Sequence, residues 1–165
     1  MEPAFWVFCG TLIGGAVSVL TTWFNNTNAL QIHRLKSRDE RDEKAREFQR
    51  ETLLATQEAA QNLLRLMARA HIADINAFRS GQAWELNRLE PPLNEDMRAA
   101  NGRMALLTER IADDTLRDAI QAFQSSINSV VNATSANSAE EALEKVSFAI
   151  PVAMGQIGAA LRTHY

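Results

Sequence analysis

Histidines and carboxylates are the side chains with which this chain could do acid–base or metal chemistry. The histidines are His33, His71 and His164. None has Glu three residues before it, which is the Glu-x-x-His spacing of carboxylate-bridged metal bundles. Asp74 follows His71 by three residues, a helical spacing that brings two side chains onto neighbouring positions of one face. A proton-transfer or metal pair needs further ligands or a partner base. The pair reads instead as a hydrogen-bonded histidine at the edge of a helical core. Asp113 and Asp114 are adjacent carboxylates, and capping of a helix accounts for both. Cys9 is the only cysteine, so neither an internal disulfide nor a Cys-x-x-Cys site is available. There is no Gly-x-x-x-x-Gly-Lys phosphate loop and no Gly-x-Ser-x-Gly elbow. Met67, Met97, Met104 and Met154 fall on or near apolar helix stripes, where they pack. The residues therefore predict no catalytic centre, no cofactor and no bound metal.

The elements that carry these residues begin with Pro3–Phe24, PAFWVFCGTLIGGAVSVLTTWF, a run of 22 residues with no charged side chain. As a helix it would reach roughly 33 Å, enough for a hydrocarbon core of about 30 Å. Trp6 near one end and Trp23 and Phe24 at the other suit the two headgroup interfaces. A cleaved signal peptide would carry a basic leading region and a small-residue cleavage site. Glu2 is the only charged side chain before this run, which ends Thr-Thr-Trp-Phe ahead of Asn25-Asn26, so a retained anchor is expected. Arg34, Lys36, Arg38, Arg41 and Lys44 follow it, and no Lys or Arg precedes it. The positive-inside rule then places the N-terminus outside and the body in the cytoplasm of an inner (plasma) membrane protein. Arg34, Lys36 and Arg38 are also placed to rest on anionic headgroups. Gly10, Gly14 and Ser18 form a small-xxx-small face, a candidate for helix association into a homodimer.

From Asn25 to Glu51 a charged helical stalk is expected. Thirteen of the nineteen residues in His33–Glu51 are charged, seven basic and six acidic. Glu40/Lys44 and Asp42/Arg46 are i,i+4 pairs in the favoured order, worth about 0.2–0.5 kcal/mol each. Leu35 and Phe48 are too few large apolar residues for a sustained coiled-coil seam, so a solvated spacer is preferred to a dimeric coiled coil. No Gly or Pro lies between Gly15 and Gly81, which allows one helix from the anchor into the domain. As a helix, Asn25–Glu51 would span roughly 40 Å. Two glycosylation-like triplets, at Asn25 and Asn132, read as chance matches under this topology.

Thr52 to Tyr165, 114 residues, suffices for one small domain. Hydrophobic residues make up 46% of the chain, while seven Gly and four Pro favour helices over many short strands. The net charge is −3, with −1 in Met1–Ile32, +1 in His33–Glu51 and −3 thereafter. That excludes a basic nucleic-acid footprint. A first domain helix should place Leu53, Ala60, Leu64, Met67, His71, Ile75 and Phe78 near one face and stop at Ser80-Gly81. A connector with Trp84, Leu86 and Leu89 follows. These three either cover an end of the domain or form a partner surface. Pro91-Pro92 should stop a helix before Asn94, a candidate N-cap with Glu95 and Asp96 in the first turn. Met97, Met104, Leu107 and Ile111 then form a stripe in which Gly102 either weakens the helix or permits close helix contact. After a break at Asp113, Leu116, Ile120, Phe123, Ile127 and Val130 step 4, 3, 4, 3. Ser138-Ala139-Glu140-Glu141 has the form of a capping box. The stripe Leu143, Val146, Ile150, Ala153, Ile157 and Leu161 follows, interrupted by Pro151, which should kink its helix. The expected fold is all-α: a transmembrane helix (1–24), a stalk (25–51) and an antiparallel four-helix bundle (52–165).

Trp23-Phe24-Asn25-Asn26, the charged run Arg38-Asp39-Glu40-Arg41 through Glu47, and the helix break at Ile111–Leu116 together resemble a loose class of uncharacterised proteins. These are bacterial, single-pass and membrane-anchored, and frequent in actinobacteria and their phages. The resemblance covers the whole chain but is architectural, and it supplies no catalytic residues. ATP synthase subunit b shares the N-terminal span and charged helix. Pro91-Pro92, Gly102 and the break at Asp113 depart from its continuous helix. The expectation is a membrane-tethered scaffold or adaptor that binds a protein partner at the cytoplasmic face. The alternative is a phage-derived or envelope-associated effector of the lysis or superinfection-exclusion type.

Overall fold

The computed structural model describes the backbone of residues 2–84 and 90–164, and the side chains of Trp23, residues 35–84 and residues 90–164. The described residues form four helices and no strand: α1 (Glu2–Arg79), α2 (Pro91–Thr108), α3 (Asp114–Val131) and α4 (Ala136–Thr163). The chain divides into two compact units, Met1–Ala45 and Arg46–Tyr165.

The first unit is helical backbone from Glu2 onward. Between Leu35 and Ala45 every side chain but Ser37 is exposed, and Leu35 itself is 60% exposed. Such a stretch has no apolar face to bury, so helix propensity and not packing favours its helical form. Among the described residues no helix is long and apolar enough to cross a membrane. Pro3–Phe24 lies outside those side chains except for Trp23, which is exposed.

The second unit is a helical bundle around one apolar core. From α1 the core takes Leu53, Thr56, Ala59, Ala60, Leu63, Leu66, Met67 and Ala70. This corrects the expected stripe. Leu63 and Leu66 are buried where Leu64 is only partly so, and Phe78 is exposed. Apolar side chains occur on more than one face of this helix, so apolarity alone does not define its inner side. Part of the inner seam is polar. Thr52 and Thr56 are buried, and the Thr56 hydroxyl donates to the Thr52 carbonyl at 2.8 Å, which removes the cost of burying it.

The end of α1 falls where Ser80-Gly81 predicts it. Gly81 takes φ +86° and donates its N–H to the Phe78 carbonyl, while Gln82 N–H reaches the Ala77 carbonyl. This is a Schellman cap, which calls for the left-handed conformation that glycine adopts at least cost.

Helix α2 starts four residues earlier than expected, with Glu90 and not Asn94 at its N-cap. Pro91 and Pro92 occupy its first positions, and Glu90 precedes them without a side-chain cap. Proline lacks the N–H that the first turn leaves unpaired and presets its φ, so the pair begins this helix instead of forbidding it. Leu93, Met97, Ala100, Met104 and Leu107 are buried. Gly102 is exposed, and a Cβ there would meet nothing within 4 Å, so it serves no close helix contact.

Helix α3 follows the 4, 3, 4, 3 reading: Leu116, Ile120, Phe123, Ile127 and Val130 are all buried. Each such side chain contributes roughly 1.5–3 kcal/mol before the entropy of ordering it is counted. Asp113 caps the helix, accepting from Leu116 N–H at 3.0 Å. Helix α4 begins a turn earlier than expected. Ser135 and Ser138 form the reciprocal capping box, each side chain accepting from the other's backbone N–H. Serine at the third position thus does what glutamate was expected to do from Ser138 onward. Pro151 sits within α4 on an exposed position, and its missing N–H leaves the Ser147 carbonyl without the helical bond from four residues on.

Side-chain bonds fix which loops share an end. Gln49 Nε2 donates to the Arg110 carbonyl at 3.0 Å, and its Oε1 accepts from Ala112 N–H at 3.1 Å, tying α1 to the α2–α3 turn. At the other end Trp84 Nε1 donates to the Ala133 carbonyl at 2.8 Å, joining the first connector to the α3–α4 turn. Between α2 and α3, Gln124 Nε2 donates to Asn101 Oδ1 at 2.9 Å and to the Asn101 carbonyl at 3.1 Å.

Candidate functional site

A groove of about 560 Å³ joins two helices and holds a sequence-predicted residue, His71. Its walls are the last turns of α1 and the first turns of α4. Ile72, Ile75 and Phe78 on α1 and Leu143 on α4 give it an apolar lining. His71, Asn76 and Arg79 on one side, and Asn137 and Glu140 on the other, supply polar groups. Ile72 is 58% exposed and Phe78 48%, so these walls are partly open to solvent.

His71 is half-buried in this wall, and its Nδ1 is shielded with no hydrogen-bond partner among the described residues. Asp74 is half-buried on the same helix. Among the described residues no cluster of three or more His, Cys, Asp or Glu side chains is arranged to hold a metal ion. The lining thus combines apolar side chains with amides and charged groups.

Beside it, α4 presents Glu140, Glu141 and Glu144 around a shallow depression of about 660 Å³. His164 and Asp113 line a separate cleft of about 340 Å³ near the C-terminal turn of α4. Asp113 Oδ1 there is engaged by the Leu116 N–H. Asp114 instead pairs with Arg117 at 2.7 Å, and Arg117 also donates to the Ile111 carbonyl at 2.7 Å. The two adjacent carboxylates therefore act on different partners and do not converge.

The side chains of Trp6, Gly10, Gly14, Ser18, Phe24, Arg34, His33 and Cys9 lie outside the described residues, as do Leu86 and Leu89 altogether. Lys36 and Arg38 are exposed. Trp84 is half-buried, bonded to Ala133 and stacked edge-to-face on Phe78, with ring centroids 5.9 Å apart. Sequence reasoning missed Gln49, whose amide behaves like a strand partner for an exposed turn. It also missed the outward face of α4, where Phe148 and Val152 are 69% and 57% exposed. The signal for that face was present, because no charged residue occurs between Lys145 and Arg162.

No family model matches the chain, and no curated protein or solved structure matches it.

Proposed function

We propose that this chain is a membrane-tethered helical adaptor. In this reading Pro3–Phe24 is the anchor, the charged stretch as far as Ala45 is a solvated spacer that ends where Gln49 engages the α2–α3 turn, and the antiparallel four-helix bundle holds a protein partner at the cytoplasmic face. The observation that carries the reading is the uncharged 22-residue run Pro3–Phe24, followed by a charged stretch and a helical bundle around one apolar core. The groove between α1 and α4 supports it by offering apolar side chains, Ile72 and Phe78, at a water-accessible edge. Binding energy at a protein interface is concentrated in a few well-packed anchor residues.

Two measurements test it. Extraction of membranes with alkaline carbonate should leave the full-length chain in the pellet and release a chain lacking 3–24. Proximity labelling from the C-terminus should enrich a discrete soluble or membrane partner. Labelling of bulk membrane neighbours alone would sink the adaptor reading. Alkaline phosphatase activity of a C-terminal fusion would reverse the topology and turn the reading toward an envelope effector.

A further inference from the structure

We infer that the outward face of α4 is a homodimer surface on which two copies of the bundle pack their α4 helices antiparallel. The sixteen residues between Lys145 and Arg162 carry no charge, and Ser147 and Gln156 are the only polar side chains among them. A helix that is apolar all round is ordinarily covered all round. In this bundle the inner side, Val146, Ala153, Ile157 and Leu161, is buried. The opposite side, Phe148, Val152, Gly155 and Ala159, is open. These four step 4, 3, 4, the spacing of a helix-packing seam.

The face is complementary to itself in size and in charge. Its N-terminal half bears the bulky Phe148 and Val152, and its C-terminal half bears Gly155 and Ala159. Glu144 precedes the seam and Arg162 follows it, both exposed and on the same outward side. Laid antiparallel across a two-fold axis near Ala153, Phe148 of one copy lies over Gly155 and Ala159 of the other. Each Glu144 then faces the second copy's Arg162. An isologous contact of this kind closes on itself and leaves no surface to propagate.

Gly155 lies on this seam at an exposed position. A Cβ at this position would meet nothing within 4 Å, so nothing inside the bundle requires glycine in this exposed helix. Glycine there weakens the helix relative to alanine, and close approach of a second helix gives it a use. One helix face per copy is a small interface, in the size class of weak associations. The seam thus calls for a readout that captures transient pairs.

The test is cross-linking of the full-length chain carrying Cys9→Ser, with Val152→Cys on the seam or Ser125→Cys on the exposed side of α3 as control. A short bis-maleimide applied to cell lysates should give about tenfold more dimer at position 152, the ratio that one well-packed anchor contributes. Phe148→Glu and Gly155→Leu should each remove most of that excess. Glu144→Arg alone and Arg162→Glu alone should lower it, and the two together should restore it. Equal capture at 152 and 125, or capture indifferent to Gly155→Leu, overturns the proposal. A bimane label on the Val152→Cys chain that shifts to the blue only on adding phosphatidylcholine vesicles, with no cross-linked dimer, assigns the face to lipid and overturns it as well.

Discussion

The indole of Trp84 donates to the carbonyl of Ala133 at 2.8 Å across forty-nine residues of sequence. The same ring stands edge-on against Phe78, so the connector after α1 is sewn to the α3–α4 turn through one side chain. Trp84→Ala should cost the Arg46–Tyr165 unit about 2 kcal/mol, less than a fully buried tryptophan because the ring is half exposed. Trp84→Phe should keep the ring contact and lose only about 1 kcal/mol, the share of the hydrogen bond. Urea denaturation followed by far-UV circular dichroism separates the two. Stability unchanged in Trp84→Ala would free this residue for the partner surface.

Phe123 and Phe148 form a matched pair for testing burial. Phe123 is 1% exposed in the core, and Phe148 is 69% exposed on α4. Phe123→Ala should cost about 3–5 kcal/mol, while Phe148→Ala at low protein concentration should stay within about 0.5 kcal/mol of the parent. A large loss of monomer stability in Phe148→Ala would mean that its ring packs inside the bundle.

Two glycines should respond with opposite signs. Gly81→Ala forces an L-residue to φ +86° and should destabilise by about 1–2 kcal/mol. Gly102→Ala fills open space on an exposed helix face and should stabilise by about 0.5–1 kcal/mol. Thermal unfolding midpoints of the two variants should move in opposite directions from the parent.

Caps and the Gln49 bridge make a third comparison. Asp113→Ala removes the acceptor for Leu116 N–H and should cost about 1 kcal/mol, with Asp113→Asn close to neutral. Gln49→Ala should cost less, about 0.5 kcal/mol, because the turn groups it releases are exposed and find water. Hydrogen exchange should nonetheless speed up at the Ala112 amide in that variant. Unchanged exchange there would show that the bridge does not persist in solution.

How far the fold was legible depended on how sharply each helix separates apolar from polar. In α3 every buried residue has at least one polar neighbour and the buried ones recur at 4, 3, 4, 3, so Leu116 to Val130 could be read directly. In α1 the inner seam includes Thr52, Thr56 and three alanines, while Leu54 and Ile72 point outward. Apolarity then ranks the wrong residues, and the seam appears only when neighbouring helices are in place. The start of α2 was misread because Pro91-Pro92 has two opposite meanings, a stop within a helix and a favoured start. The groove at His71 joins two segments about seventy residues apart, and no local pattern brings Phe78 and Leu143 together. The structural features of interest, Gln49 on its turn and the uncharged flank of α4, consist of residues without distinctive chemistry.

The short turns of the bundle carry a kinetic consequence. Five residues separate α2 from α3, and four separate α3 from α4. Much of the core is therefore assembled from helices adjacent in the chain, a topology of low contact order for which folding in microseconds to milliseconds is the rule. The α3–α4 hairpin, with the strongest apolar stripe and a capped turn, is suited to form first and to template α2. The late event is the return of the α1 segment, which must close the longer connector through Trp84. Substitutions in the hairpin should then slow folding, whereas Trp84→Ala should act chiefly by hastening unfolding.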